Sequence, residues 1–256
     1  MPLLDGKRLL VTGVLTEQSL ASAVVRTALD EGAEVLLSSP LCRAWPLTSR
    51  TAGRLGVPAP VLELDVTLPS DLARLEAGVR EAGWDRVDGV LHAIAYLPAG
   101  SGSGDFAAQP WEMTGEVFQT TAWSLAAVVH ALRPLLPCGG SVVALDVDAS
   151  RAWSSLGWLG VAQAGLEATA RYLARELGPA GVRVNVVATG PHRTLLTRAL
   201  DGHHELADRW ARDAPLGWDP GDATAVAKAA VTLLSDWLPA TTGEVLHVDG
   251  GMHAVG

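Results

Sequence analysis

At 256 residues the chain is long enough for one large domain that buries about three quarters of its unfolded surface. Its 48% hydrophobic and 18% charged content excludes a disordered or collagen-like chain. A net charge of -9 without any run of Lys or Arg argues against a nucleic-acid partner, and no stretch approaches the ~20 apolar residues of a membrane span.

Residues 1–7 lack the apolar core of a signal peptide and lead into the first strand, expected over 8–13. A helix is expected over 19–31, a strand over 33–39 and another over 60–66. Cap-type residues and a proline at 67–70 open a helix over 69–82. The strand over 89–95 is followed by a GSGSG loop at 100–104, then by a helix over 112–135. A strand over 141–148, a helix over 158–177, a strand over 182–189, a helix over 223–236 and a strand over 244–248 complete the order. Most strand candidates are near-continuous Val/Leu/Ala runs, the composition of strands covered on both faces. The alternation predicts an α/β fold: a single Rossmann-type doubly wound parallel sheet of about seven strands, with residues 1–256 forming one domain. Cys42 and Cys138 are far apart, lack metal-ligand spacing and read as reduced thiols of a cytoplasmic protein. His203 and His204 are adjacent in an expected helix, so their side chains should diverge and hold no metal.

Between the first strand and its helix stands Gly13, followed at fixed spacing by Ser19 and Ala21. A glycine at such a turn lets backbone approach a pyrophosphate, and the helix N-terminus offers it N–H groups. The usual G-x-G-x-x-G is absent. The pattern Gly-x5-Ser-x-Ala nevertheless resembles the divergent turn of NADH-dependent enoyl-acyl-carrier-protein reductases, within the short-chain dehydrogenase superfamily. LDGKRLLVTG at 4–13, LELDV at 62–66, GPHRT at 190–194 and LSDWLPATTG at 234–243 also resemble that family, in particular its long-chain, mycolic-acid-type branch.

The resemblance implies binding of the dinucleotide NAD(H), with Gly13, Ser19 and Leu20 along the pyrophosphate. Asp65 and Val66 would hold the adenine, with Pro40 where the family has an aromatic. Ile94 and Gln163 would lie near the nicotinamide ribose, and Gly190, Pro191 and Thr194 near the carboxamide and phosphates. It also implies a homotetramer assembled partly through residues 234–251.

The same mapping departs from the family at its chemistry. The block DVDASRA at 146–152, followed by Trp158, places Leu156 at the catalytic tyrosine and Gln163 at the lysine. Val147 replaces an aromatic beside the nicotinamide, and Ala93 and Ala95 stand where Ser and Gly are usual. Leucine donates no hydrogen bond to an oxyanion, a loss worth about 100- to 1,000-fold in rate. Glutamine binds a ribose hydroxyl but carries no charge.

Two surrogates offer themselves. Tyr96 has a hydroxyl and is either a donor or a pocket-lining variant of Phe. His192 is either a proton shuttle near neutral pH or a solvent-facing loop residue. Asp146, Asp148 and Arg151 are expected to organise the turn after the fifth strand, and Ser154 and Ser155 have nothing visible to activate them.

The substrate-loop region 194–213 is shorter than in the long-chain branch, implying a compact acyl-type or other small-molecule substrate. Tyr96, Trp153, Leu156, Trp158 and Trp210 would line its pocket. Nine Trp against two Phe and two Tyr fit either core packing or a pocket for a flat, cyclic ligand. Three functions follow in order: a non-reducing cyclase, isomerase or dehydratase acting on a polyketide-like intermediate; a pseudoenzyme or binding subunit partnering an active homologue; and an NADH-dependent reductase with a surrogate proton donor.

Overall fold

The computed structural model describes residues 2–40, 44–58, 60–98, 105–153, 155–198, 200 and 202–255. The glycine-rich loop at 100–104, Cys42 and Ser154 therefore lie outside the described residues. Seven parallel strands, β1 (Arg8–Val11), β2 (Glu34–Ser39), β3 (Leu62–Glu63), β4 (Gly89–His92), β5 (Ser141–Val147), β6 (Arg183–Thr189) and β7 (Val245–Val248), form one sheet. Their order is β3-β2-β1-β4-β5-β6-β7, the doubly wound arrangement, with the chain reversing direction of travel between β1 and β4.

Alternating side chains send each strand's residues to opposite layers. Leu9 and Val11 of β1 join Val24, Val25 and Ala28 of α1 (Leu20–Asp30) and the apolar face of α9 (Thr224–Leu234). Leu10 faces the other layer, with α3 (Pro69–Glu81), α5 (Ser124–Leu132) and α6 (Trp158–Leu177). Polar residues inside β5 and β6 have partners in the C-terminal segment. Ser141 Oγ donates to Leu233 O, Asn185 Nδ2 donates to Thr241 O, and buried Arg183 donates to the carbonyls of Leu233, Ser235 and Leu238.

Three elements depart from the sequence expectation. Helix α2 (Trp45–Leu55) was not foreseen because its buried face is Thr48, Thr51 and Ala52, which gives no apolar periodicity. The two hydroxyls bond Val14 O and Leu15 O, and Gly56 at φ 72° ends the helix. The expected helix over 112–135 is instead α4 (Trp111–Phe118), five residues of π-type winding at Gln119–Trp123, α5, and a 3₁₀ turn at Arg133–Leu135. Within that winding Ser124 Oγ donates to Thr120 O at 2.6 Å. β3 keeps only two of the seven residues expected.

Two short helices, α7 (Leu195–Arg198) and α8 (His203–Asp213), follow β6 and cover one end of the sheet. On α8 the rings of His203 and His204 lie with centroids 3.9 Å apart, which corrects the expected divergence. No group of three His, Cys, Asp or Glu residues suited to a metal occurs among the described residues. No described helix is long and apolar enough to cross a membrane.

Candidate active site

The reversal between β1 and β4 opens a cleft beyond the C-terminal ends of the strands, where open α/β sheets bind their ligands. Two adjoining cavities occupy it, of about 250 and about 130 Å³. Gly13, Leu15, Ala93, Ile94 and Ala95 line both. The larger runs over Ser38, Ser39, Pro40, Asp65 and Val66; the smaller is bounded by Ser19, Leu20, Asp146, Val147, Gln163, Thr189 and Thr194.

Gly13 is dictated by this geometry. Its φ is 78°, and a Cβ there would stand 1.9 Å from Ala93 O, so the ends of β1 and β4 touch backbone to backbone. Ser19 Oγ accepts from the N–H groups of Leu15 and Thr16 at 3.2 and 3.0 Å and so closes the turn into α1. Leu20 and Ala21, the first residues of α1, then border the cavity with the N–H groups that no helical carbonyl satisfies.

In the larger cavity Asp65 Oδ1 accepts from Thr67 N–H and Oγ1, while Asp65 N–H donates to Asp71 Oδ2, which fixes the wall that carries Val66. Thr48 Oγ1 supports the opposite wall through Val14 O and Ser39 Oγ.

In the smaller cavity Gln163, on α6, is 2% exposed and its Oε1 accepts no hydrogen bond. A buried amide oxygen in that condition costs on the order of 1–3 kcal/mol until a donor reaches it. The hydroxyl of a bound ribose is such a donor, so the residues present fit a dinucleotide. Asp146 at the end of β5 lines the same space. Burial first, and then the nearby Glu167 carboxyl, push its pKa well above the usual carboxylate range. Asp148, by contrast, is held below the usual value because hydrogen bonds from Ser150 and the charge of His247 outweigh its desolvation.

The remaining site residues fall elsewhere. Leu156 lines neither cavity; it is buried among Leu97, Val117, Leu159 and Leu206. Trp153 and Trp210, expected on a pocket wall, are core residues with ring centroids 4.5 Å apart. Trp153 Nε1 donates to Asp148 O, and the guanidinium groups of Arg151 and Arg209 lie 5.5 and 5.3 Å from its ring. Trp158 stacks on Phe106 and donates to Phe106 O, away from both cavities.

Gly190 and Pro191 also miss the cavities. A Cβ on Gly190 would come within 2.7 Å of Trp210 and Trp218, and Pro191 O accepts from Trp218 Nε1. Tyr96 lines the larger cavity and not the one that holds Gln163 and Val147. His192 is neither exposed nor a neutral-pH shuttle. It is 5% exposed, its Nε2 bonds Thr189 Oγ1 at 3.1 Å, and desolvation lowers its pKa to about 4.

Sequence reasoning missed the pairing of Asp146 with Glu167. The available signal was the helical spacing of Gln163 and Glu167, which places both on one face of α6.

Comparison with known proteins places the chain in a family. The family model described as Enoyl-(Acyl carrier protein) reductase matches residues 13–253. The chain is 40% identical to an NADH enoyl-[acyl-carrier-protein] reductase of Mycolicibacterium smegmatis, with 97% of each chain covered. It is likewise 40% identical to the corresponding protein of Mycobacterium avium, again with 97% of each covered. It is 33% identical to that of Aquifex aeolicus, over 100% of this chain and 94% of the relative. These relatives carry reductase names, so the non-reducing cyclase, isomerase or dehydratase expected from the sequence finds no support in them.

Proposed function

The chain belongs to the enoyl-(acyl carrier protein) reductase family, and from that premise we propose that it is an oxidoreductase that binds NADH and reduces a compact unsaturated acyl thioester. The observation that carries this reading is the smaller cavity, where a buried, unpaired Gln163 Oε1 faces the same space as the N-terminus of α1. That pair of features suits a ribose joined to a pyrophosphate. Bound NADH would supply the hydride for the substrate's β-carbon.

The chain's own residues do the rest. Gly13, Ser19 and Leu20 hold the pyrophosphate, with Thr194 reaching it from the far wall. Asp65 and Val66 take the adenine, with Pro40 beside them. Ile94 and Gln163 orient the nicotinamide ribose. Val147, smaller than the family's aromatic, leaves room beside the nicotinamide for the reacting double bond. Of the described residues that line the two cavities, Asp65 and Glu116 in the larger and Asp146 in the smaller are acidic and none is Lys or Arg, which favours NADH over its 2′-phosphorylated form.

On the substrate side, Leu156, Trp153 and Trp210 fill the volume in which a long acyl tail would lie, so the substrate is short. Leucine at 156 offers no hydrogen bond to the thioester oxygen, and turnover is correspondingly slow. A tetramer in the cytoplasm completes the reading.

A second reading, a binding subunit that holds NADH beside an active homologue, draws its support from the same filled core around Leu156. Calorimetric titration with NADH and NAD⁺, on protein first freed of carried-over nucleotide, followed by NADH oxidation with a short trans-2-enoyl thioester, separates the two. Binding with substrate-dependent oxidation supports the reductase. Binding without oxidation supports the subunit, and absence of binding refutes both.

A further inference from the structure

Reduction of a conjugated thioester consumes one proton for every hydride, and Leu156 has none to give. Tyr96 lines the wrong cavity, and His192 is buried behind Thr189 as a neutral ring. One group in the smaller cavity has the required geometry. Asp146 is 2% exposed, its Oδ1 accepts from Val147 N–H at 2.6 Å, and no donor reaches its Oδ2. It borders the same space as Val147 and Gln163.

Glu167 lies one helical turn beyond Gln163 on α6, and its carboxyl meets that of Asp146. A carboxyl so close to Asp146 disfavours a second negative charge there. Glu167 has a cation at hand, Arg171 Nη1 at 3.6 Å, and its side chain is 16% exposed. Asp146 pairs with no cation among the described residues.

Of the other groups around Asp146, the Val147 N–H favours its charge. Asp148 adds negative charge from the end of β5, while Gln163 of α6, Ala188 and Thr189 of β6, and Ala93, Ile94 and Ala95 after β4 are uncharged. The first turn of α1 carries no acidic residue. Burial first, then the Glu167 carboxyl, raise the Asp146 pKa well above the usual carboxylate range, against the Val147 N–H bond, which lowers it.

We propose that Asp146 is the proton donor of this site and that Glu167 is the positioning residue through which the proton is replaced from solvent. The proposal rests on the reductase reading. In the step itself a C–H bond forms at the β-carbon from the hydride, and the π electrons move onto the thioester oxygen. The Asp146 O–H bond breaks to protonate that oxygen, its electron pair remaining on the carboxylate. The resulting enol then tautomerises to the saturated thioester. Glu167 passes a proton from water to Asp146 and restores the acid. This accounts for a reductase cleft that keeps its dinucleotide features without a tyrosine hydroxyl.

Infrared difference spectroscopy across a pH titration of the purified protein, without added nucleotide, reads the proton directly. The wild type should show a protonated-carboxyl C=O band at pH 7. Asp146→Asn should abolish it, and Glu167→Gln should move its titration to lower pH. A band absent at pH 7, or one that survives Asp146→Asn, overturns the proposal whether or not NADH binds.

With NADH and a short enoyl thioester, Asp146→Asn should lower kcat by about 100-fold and leave the NADH Kd unchanged. The alkaline limb of the kcat–pH profile should shift downward in Glu167→Gln. Unchanged kcat in Asp146→Asn, with the band present in the wild type, assigns the carboxyl a structural role and refutes the donor. A wild-type protein that fails to bind NADH refutes the reductase reading and the donor with it, while the band still reports where the proton resides. Thermal melting of both variants shows that they fold: Asp146→Asn should melt above the wild type at pH 8, because the wild-type carboxyl ionises more readily in the unfolded chain than in the fold, where burial raises its pKa.

Discussion

Replacing Gly13 by alanine is the sharpest perturbation of the dinucleotide cleft. The backbone at φ 78° costs an L-residue roughly 1–2 kcal/mol. The new Cβ would also stand 1.9 Å from Ala93 O, a contact with backbone and not with the end of a flexible side chain. That carbonyl cannot retreat freely. Ala93 N–H donates to Thr12 Oγ1, which donates in turn to Leu91 O, and Thr12 N–H bonds the same carbonyl. Relief therefore displaces the joint between β1 and β4, at a further cost of about 1–3 kcal/mol. A total near 3 kcal/mol lowers Tm by roughly 6–12 °C in a chain of this length. Gly6 supplies the control: its φ is 69°, but a Cβ there meets nothing within 4 Å. Gly6→Ala should lose only the dihedral part, about 1 kcal/mol, and keep NADH binding. Calorimetric melting with and without NADH measures both quantities. Equal costs for the two variants, or a Gly13→Ala protein that binds NADH as the parent does, would refute the close-approach argument.

The double substitution Leu156→Tyr and Gln163→Lys should give far less than the about 100-fold gain that one well-placed oxyanion donor supplies, because Leu156 lines neither cavity and is packed among Leu97, Val117 and Leu206. A gain of about 100-fold or more in NADH oxidation with a short enoyl thioester would show that position 156 reaches the reacting oxygen and would count against Asp146 as the donor. Acid should destabilise the fold through two histidines: desolvation lowers the pKa of buried His92 and His192 from 6.5 to about 4. Their neutral rings leave stability intact above pH 6.5, and it falls as pH drops through the window toward 4, by about 3 kcal/mol for each. In urea unfolding at pH 7.5 and 4.5, His192→Phe should lose less between the two than the parent, and an equal loss would count against this assignment. Arg183→Met should cost roughly 3 kcal/mol, since the carbonyls of Leu233, Ser235 and Leu238 lose a charged donor together. A urea midpoint within error of the parent's would contradict it.

The layered sheet was legible because its strands are long apolar runs, and α6 was expected over 158–177 and is found at Trp158–Leu177. Helix α2 was not legible, because hydroxyls bonded to backbone do the work that leucines do in the other helices. The dinucleotide cleft could be read from Gly13, whose conformation and close contact leave one residue type. The substrate side could not. Trp153 and Trp210 carry the same letters whether they wall a pocket or fill it, and only tertiary packing decides between the two. His192 shows the same limit, since its protonation is set by burial beside Thr189 and Trp218, which outweighs a hydrogen bond to the backbone of Pro220 that favours the charged ring. The proton proposed on Asp146 depends on Glu167, twenty-one positions further along the chain, and the sequence marks the pair only through the one-turn spacing of Gln163 and Glu167 on α6.

The Trp153–Trp210 pair has an optical consequence. Two indoles with centroids 4.5 Å apart and planes inclined at 48° couple their near-ultraviolet transitions, and both are held out of water by the surrounding core. Trp210 belongs to α8, whereas Trp153 precedes α6, so the coupled signal reports the seating of one element on the other. A ligand that entered between them would weaken the near-ultraviolet dichroism and leave the far-ultraviolet helical spectrum intact. The protein thus carries its own chromophore for the opening of its substrate side, readable without a label.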